Sequence, residues 1–448
     1  MSVTQRGVGG IAEVLEGEPA CVRRTIALLG EVLGGSGRPP NATADSFAAE
    51  HLGCEPSGIV SESFELTVSA AVGIGVFLRL MIEGGSAKTG PAEDSDRQKW
   101  EQREVGDDRL SIPTHLAVAM PAGWHFGNGR DSFVPFVVRV RESYGFGECG
   151  YLDVLAGPGE RDTVADILEA IRHGGQRHNP YRGKMLAANS AGGSLRLTVE
   201  SPPQQTREDI VVDDDVWRIV DRCIAAVTTA RKRLQSANLR AGAGVLLAGP
   251  PGVGKTAIAR SIAAQLLGDF TVVTADGNSG SQWLRSLYAE AAEVGAAVVI
   301  LDDIDLILAR RGKGQDSALG DMLAVLDGVT KQPGVLTIAT TNDPGSLDPA
   351  VLRSGRFDTV IELGYPNRAV AQDILSRLLT RIESGDDGPV DVGLVATRLP
   401  DRLSGADLTE IVRQAVLIAD DGRPTTDDLL TVLGDSRWRP PELVGNYL

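Results

Sequence analysis

The chain has 448 residues, is 42% hydrophobic, and carries 44 Lys and Arg against 60 Asp and Glu, a formal net charge of -16. That length exceeds what one hydrophobic core usually organises, so two or three domains are expected. The negative field argues against nucleic acid as a main partner, since nonspecific binding draws on Lys and Arg releasing counterions.

Four isolated cysteines, Cys21, Cys54, Cys149 and Cys223, lack CxxC spacing and fit reduced structural thiols in a cytoplasmic setting. No pair of the histidines has ligand spacing, so no metal site is expected in the first half of the chain.

Residues 1–83 are expected to be mostly helical, from stretches such as "AEVLEGEPACVRRTIALLGEVL". The apolar run "LTVSAAVGIGVFL", Leu66 to Leu78, falls short of the ~20 residues a spanning helix needs, so it reads as core rather than as a membrane anchor. Residues 84–109 are polar and rich in Gly, Ser and Pro, and read as a mobile linker. Residues 110–205 read as an α+β region that meets the partner. Within it "FVPFVVRVRESYGFGECGYLDVLAG" has strand composition, "TVADILEAIRH" is a helix started by Thr163, and "KMLAANSAGGSLRLTVE" is two strands joined through Gly192 and Gly193.

After the polar break "ESPPQQTRED", the run "DDDVWRIVDRCIAAVTTARKRL" spaces Val216, Ile219, Val220, Cys223, Ile224 and Val227 as one helix face. Then "VLLAGPPGVGKTAIARSIAAQLL" reads strand, glycine-rich loop, helix, and the loop is a full GxxxxGK[ST] match. Gly249, Pro250, Pro251, Gly252, Val253 and Gly254 form the nucleotide-binding loop, and Lys255, Thr256 and Ala257 open the helix. Such a loop wraps phosphates with backbone N–H groups at a helix N-terminus; Lys255 should reach the β and γ phosphates of ATP and Thr256 a Mg²⁺ ion. The buried run "VVILDDIDLI" delivers Asp302, Asp303 and Asp305 to its carboxyl end.

From Val211 to Ala419 this order of motifs resembles the AAA family of ring-forming ATPases. The resemblance implies an α/β fold: a P-loop AAA-type nucleotide-binding domain with a parallel sheet at 206–364, a helical lid at 365–436 and a tail at 437–448, preceded by the α+β N-terminal region. By family position, Asp302 holds Mg²⁺ through water and Asp303 activates the attacking water. "TIATTNDPGSLDPAVLRSGRFD" puts Asn342 at the polar sensor and Arg353 and Arg356 at the two arginines that reach the neighbouring subunit's γ phosphate. "VLDGV" puts Asp327 and Gly328 at the intersubunit signalling motif, and "LSGADLTEIVRQAV" puts Gly405 and Ala406 beside the adenine or ribose.

Two features depart from the family. Its usual acid pair is Asp then Glu, whereas this chain has Asp302 then Asp303. The lost methylene withdraws the carboxylate by about 1.5 Å, and a misplacement of about 1 Å can cost on the order of 100-fold in rate. Where threading members carry a pore aromatic, this chain has "DGNSG"; the nearby Trp283 falls into a helical pattern with Leu284, Leu287 and Tyr288 and reads as core. The "DDID" form is similar to the branch containing the mitochondrial translocase of a folded iron–sulfur protein, whose membrane-spanning N-terminus is not expected here.

The resemblance therefore implies a homo-oligomeric ring, expected to be a hexamer, that hydrolyses ATP with Mg²⁺ to remodel a protein bound through residues 1–205. Two alternatives stand beside it: a nucleotide-gated scaffold with little hydrolysis, and a proteasome-docking ATPase using the terminal Asn446, Tyr447 and Leu448. For that tail the plain reading is apolar packing on its own lid.

Overall fold

The computed structural model describes residues 43–93, 98–126, 131–141, 150–191, 194–239, 243–275, 284–308, 323, 334–353, 355–382, 390–419 and 423–435. The leading helical stretch, the "DGNSG" segment with Trp283, Asp327 and Gly328, and the terminal Asn446 to Leu448 lie outside these residues. The chain divides into two compact units, residues 1–180 and 181–448.

The first unit is an antiparallel sheet with helices. Its elements are α1 (Ala44–Leu52), β1 (Val60–Glu65), α2 (Val68–Glu83), β2 (Lys88–Gly90), β3 (Lys99–Val105), β4 (Asp108–Met120), the short pair β5 (Trp124–His125) and β6 (Asp131–Ser132), β7 (Phe136–Arg141), β8 (Tyr151–Ala156) and α3 (Arg161–Arg177). The strands run β1-β8-β7-β4-β2, with β3 pairing β4.

The apolar run from Leu66 forms α2, and among the described residues no helix is long and apolar enough to cross a membrane. Its buried face, including Ile74, Phe77, Leu78 and Met81, packs with Ile167 and Ile171 of α3 and Leu116, Val118 and Val138 of the sheet. The two helices meet closely through glycine: a Cβ on Gly73 would stand 2.6 Å from the Gly175 carbonyl oxygen. Helix α3 starts at Arg161, earlier than its sequence suggested; Thr163 lies in its first turn and donates its hydroxyl to Glu160 at 2.6 Å.

The segment expected to be a linker is largely ordered pairing. β2 pairs with Ala117 to Ala119, and β3 folds back on the first half of β4 through Gly106, whose φ of 66° suits a tight turn. Most β3 side chains are exposed. A hairpin arm wetted on both faces needs no hydrophobic alternation, so its composition resembles a loop.

The second unit is built on β9 (Met185–Ala191), β10 (Ser194–Glu200), α4 (Asp214–Val227), α5 (Arg231–Ser236), β11 (Ala243–Ala248), α6 (Lys255–Leu266), β12 (Thr271–Ala275), α7 (Leu284–Glu293), β13 (Ala297–Leu301), α8 (Ile304–Leu308), β14 (Val335–Thr341) and β15 (Thr359–Glu362). Four helices follow: α9 (Arg368–Thr380), α10 (Val392–Arg398), α11 (Gly405–Ile418) and α12 (Thr426–Leu433). The sheet order is β10-β9-β12-β13-β14-β11-β15, parallel throughout except for the antiparallel β9–β10 hairpin.

The sequence reading assigned that hairpin to the preceding region, with a break after residue 205. The structure instead adds it to the nucleotide-domain sheet. β9 runs beside β12 with Leu186 opposite Val273, the Thr274 hydroxyl donates to the Leu186 carbonyl at 3.2 Å, and the Gly183 amide donates to Thr271 Oγ1 at 3.0 Å.

Strands β12, β13 and β14 are buried almost without interruption because both sheet faces are covered, and their residues are apolar or threonine. Helix α4 buries Trp217, Val220, Cys223, Ile224 and Val227 in this core, with Val216 and Ile219 at its margin, and stops at Thr228 rather than continuing through "TTARKRL". The last four helices have their own core around Leu375, Val395, Leu408, Ile411 and Leu429. All four of their starts are capped by side chains, from Asn367, Asp391, Ser404 and Thr425, the last two as capping boxes with Asp407 and Asp428.

At one position two catalytic-side segments touch backbone to backbone. A Cβ on Gly244 of β11 would stand 1.9 Å from the Arg356 carbonyl oxygen. Gly244→Ala must push β11 and the arginine-bearing loop apart, and is expected to destabilise the second unit by about 3 kcal/mol or more. Calorimetry checks this; an unchanged transition for that unit would refute the contact.

Candidate active site

Three loops at the carboxyl ends of adjacent parallel strands meet in one place, where open α/β sheets bind ligands. The first follows β11. Gly249, Gly252 and Gly254 all have positive φ, at 152°, 80° and 102°. A Cβ on Gly249 would stand 2.0 Å from the Leu363 carbonyl oxygen, and one on Gly252 2.6 Å from Ser404 Oγ, so these two glycines are required by space as well as by conformation, and Gly254 by conformation alone.

The loop ends at α6, whose first residue, Lys255, is buried and points back under it. Its ammonium donates to the Gly249 and Pro250 carbonyls and to Asn342 Oδ1, each at 2.8 Å. Burial pulls the Lys255 ammonium below its ordinary value, while Asp303, Asp302 and Asp305 push the other way.

The second loop follows β13. Asp302 accepts the Thr256 hydroxyl at 3.0 Å on Oδ1 and 3.1 Å on Oδ2. Asp303 has a left-handed backbone, φ 50°, and accepts Asn342 Nδ2 at 2.9 Å. Partial burial raises the Asp303 carboxyl above the ordinary aspartate range, and Asp302 and Asp305 add to the rise; Lys255 and the Asn342 amide oppose it. The third loop follows β14 and carries Asn342, whose backbone N–H is accepted by Asp305 at 3.3 Å. Asp305 thus braces the loop that carries Asn342.

The structure therefore brings together Lys255, Thr256, Asp302, Asp303 and Asn342. Arg353 and Arg356 lie in the loop before β15. Arg353 is exposed, and Arg356 donates Nη1 to the Ala350 carbonyl of its own loop at 2.7 Å.

A cleft of about 240 Å³ adjoins the glycine loop, walled by Gly252, Val253, Gly254 and Ala257 on one side and by Gly405 and Ala406 on the other. The Ala406 amide donates to the Gly252 carbonyl at 3.1 Å, closing the lid helix onto the loop. The rest of the wall had not been anticipated: Asp209, Ile210 and Val211 before α4, and Ile374, Leu378 and Arg381 of the lid.

Asp209 is held by the Thr206 amide and hydroxyl and is paired with Arg381; the Thr206 hydrogen bonds lead in keeping its carboxyl below the usual range. The sequence signal was thin, the capping pair Thr206 and Asp209 inside a stretch that otherwise reads as a break.

The residues fit a nucleotide with a divalent cation. The glycine cradle admits no Cβ at its closest points, a lysine stands under it, and a threonine hydroxyl and an aspartate share one corner.

Comparison with known proteins agrees with this geometry. Residues 245–365 match the model of the ATPase family associated with various cellular activities (AAA). The chain is 38% identical over 244 residues to the ATP-dependent zinc metalloprotease FtsH 3 of Sphaerobacter thermophilus, covering 51% of this chain and 48% of that protein. It is 30% identical over 262 residues to the ATP-dependent zinc metalloprotease FtsH of Streptococcus pneumoniae, covering 55% and 38%. It is also 37% identical over 294 residues to the probable inactive ATP-dependent zinc metalloprotease FTSHI 2, chloroplastic, of Arabidopsis thaliana, covering 60% and 33%. The chain thus spans half or less of the curated relatives it matches. With its phosphate loop, mostly parallel sheet and acid-ended β13, the second unit contains an AAA ATPase domain, the part of the chain that residues 245–365 match.

Proposed function

We propose that the chain is an ATP-driven remodeller of a protein partner, working as a homo-oligomeric ring, expected to be a hexamer, with the active site shared between subunits. The observation that carries the hydrolytic part is the set of hydrogen bonds that links Lys255 to Asn342, Asn342 to Asp303 and Thr256 to Asp302 at the ends of adjacent strands.

Phosphoryl transfer needs charge neutralised on the γ phosphate, an oriented water and in-line geometry. Lys255 would hold the β and γ phosphates, Thr256 and Asp302 the Mg²⁺ ion, which supplies Lewis-acid neutralisation when bound. Asp303 would accept the water's proton, and Asn342 would orient both. The base would occupy the cleft beside Gly405 and Ala406. Arg353 and Arg356, on the loop before β15, would act on the γ phosphate of a neighbouring subunit, and the first unit, residues 1–180, would receive the partner.

The experiment is steady-state ATP turnover per chain across protein concentration. Turnover should rise as chains assemble and should fall by about 10³-fold or more in Arg356→Ala, the scale of an arginine finger. Turnover independent of concentration and intact in Arg356→Ala would leave a site complete within one chain and overturn the shared arrangement. The scaffold reading predicts assembly with nucleotide but no turnover above a phosphate-loop variant.

A further inference from the structure

Asp303 adopts a left-handed backbone, φ 50°, a state that residues other than glycine enter at a cost and keep only when their surroundings hold them. Thr340, fully buried on β14, supplies that hold. Its hydroxyl oxygen accepts the Asp303 backbone N–H at 2.9 Å and donates its own proton to Asp302 Oδ1 at 2.5 Å. One hydroxyl, with one proton and its lone pairs, therefore joins both acids of the site. The sheet makes this possible: β13 and β14 run parallel with Leu301 opposite Ala339, so the residues that follow each strand emerge side by side.

We infer that Thr340 is a positioning residue for hydrolysis, fixing the turn that aims the short Asp303 side chain and pinning the Asp302 carboxylate toward Thr256. Side-chain length is only one determinant of where a carboxylate lands; the direction of the Cα–Cβ bond, set by the backbone, is the other. A left-handed residue locked by its own N–H offers a backbone route to offset the missing methylene. On the other side, a carboxylate oxygen already engaged by Thr340 leaves Asp302 little rotational freedom, so its free lone pairs stay directed at the corner it shares with Thr256. The inference rests on the ATPase reading above, and its test separates the two.

Thr340→Val is nearly isosteric, keeps a β-branched residue in a buried strand and removes only the hydroxyl; Thr340→Ser keeps the hydroxyl. The full chain is assayed for ATP turnover, for affinity to a fluorescent ATP analogue with and without Mg²⁺, and for thermal stability. Thr340→Val should lower kcat by about 10- to 100-fold, leave Mg²⁺-free nucleotide affinity unchanged, and reduce the gain in affinity that Mg²⁺ brings. Thr340→Ser should restore most of both, and within Asp303→Asn the loss of kcat from Thr340→Val should shrink, since both changes act on one carboxylate.

The inference falls if Thr340→Val turns over like wild type with a full Mg²⁺ gain, or if Thr340→Ser is as impaired as Thr340→Val, which would make the effect one of packing. Wild type no faster than Lys255→Ala would instead overturn the ATPase reading, and the Mg²⁺ gain alone would then decide for or against Thr340.

Discussion

Lys255→Ala is expected to bring ATP turnover down to the uncatalysed background, with a loss of at least about 10²- to 10³-fold in kcat, the scale of removing one donor aimed at developing oxyanion charge. The ammonium is held beside the loop by three acceptors at 2.8 Å, two of them carbonyls of the loop it must serve. Its three N–H groups would exchange some of these partners for phosphate oxygens over a short distance, and removal of the side chain loses the whole interaction.

The same substitution also strips the acidic cluster of the cation that opposes the rise of Asp303. Relative to wild type, the unliganded variant should therefore lose stability as pH rises through the carboxylate range, a trend that thermal melts across pH would check. Wild-type turnover equal to that of Lys255→Ala would eliminate the hydrolase and leave the nucleotide-gated scaffold.

Asp303→Asn should keep nucleotide binding and lower kcat by about 10²- to 10⁴-fold, the usual contribution of a positioned base. The variant can still accept Asn342 Nδ2 through its amide oxygen, and Asn tolerates the left-handed backbone, so the geometry should survive the loss of basicity. Wild type should lose kcat/KM as pH falls through the raised Asp303 value, because the protonated acid cannot accept the water's proton; that acid limb should lie above the ordinary aspartate range.

The sign for stability is opposite. A carboxyl whose folded-state value is raised disfavours the fold when ionised, so the penalty is present above the raised value and is relieved as pH falls through it. Asp303→Asn should therefore melt higher than wild type at neutral pH, and the two should converge in acid. An Asp303→Asn enzyme as fast as wild type would move the base elsewhere. Such a variant, retaining ATP without consuming it, would also be suited to holding a bound partner for identification.

The phosphate loop, the acid-ended strand, the sensor asparagine and the lid glycine and alanine were legible because each lies in a contiguous motif whose spacing is dictated by one local structure. The departure at Asp303 was equally plain, as a missing methylene. Its apparent remedy was not: Thr340 reads as one more residue of a buried strand, and it acquires a role only where β14 lies beside β13. The β3–β4 arm failed for a different reason, since a hairpin exposed on both sides leaves no apolar period to detect.

The sequence by itself therefore determined the AAA-type domain and its nucleotide chemistry, because glycine spacing, a lysine after the loop and acids after a buried strand are local requirements of binding phosphate. Only the tertiary structure decided which unit owns the β9–β10 hairpin and which residues complete the cleft. It also decided how the two acids are held, because strand neighbours, lid closure and a shared hydroxyl depend on parts of the chain far apart in sequence that only packing brings together.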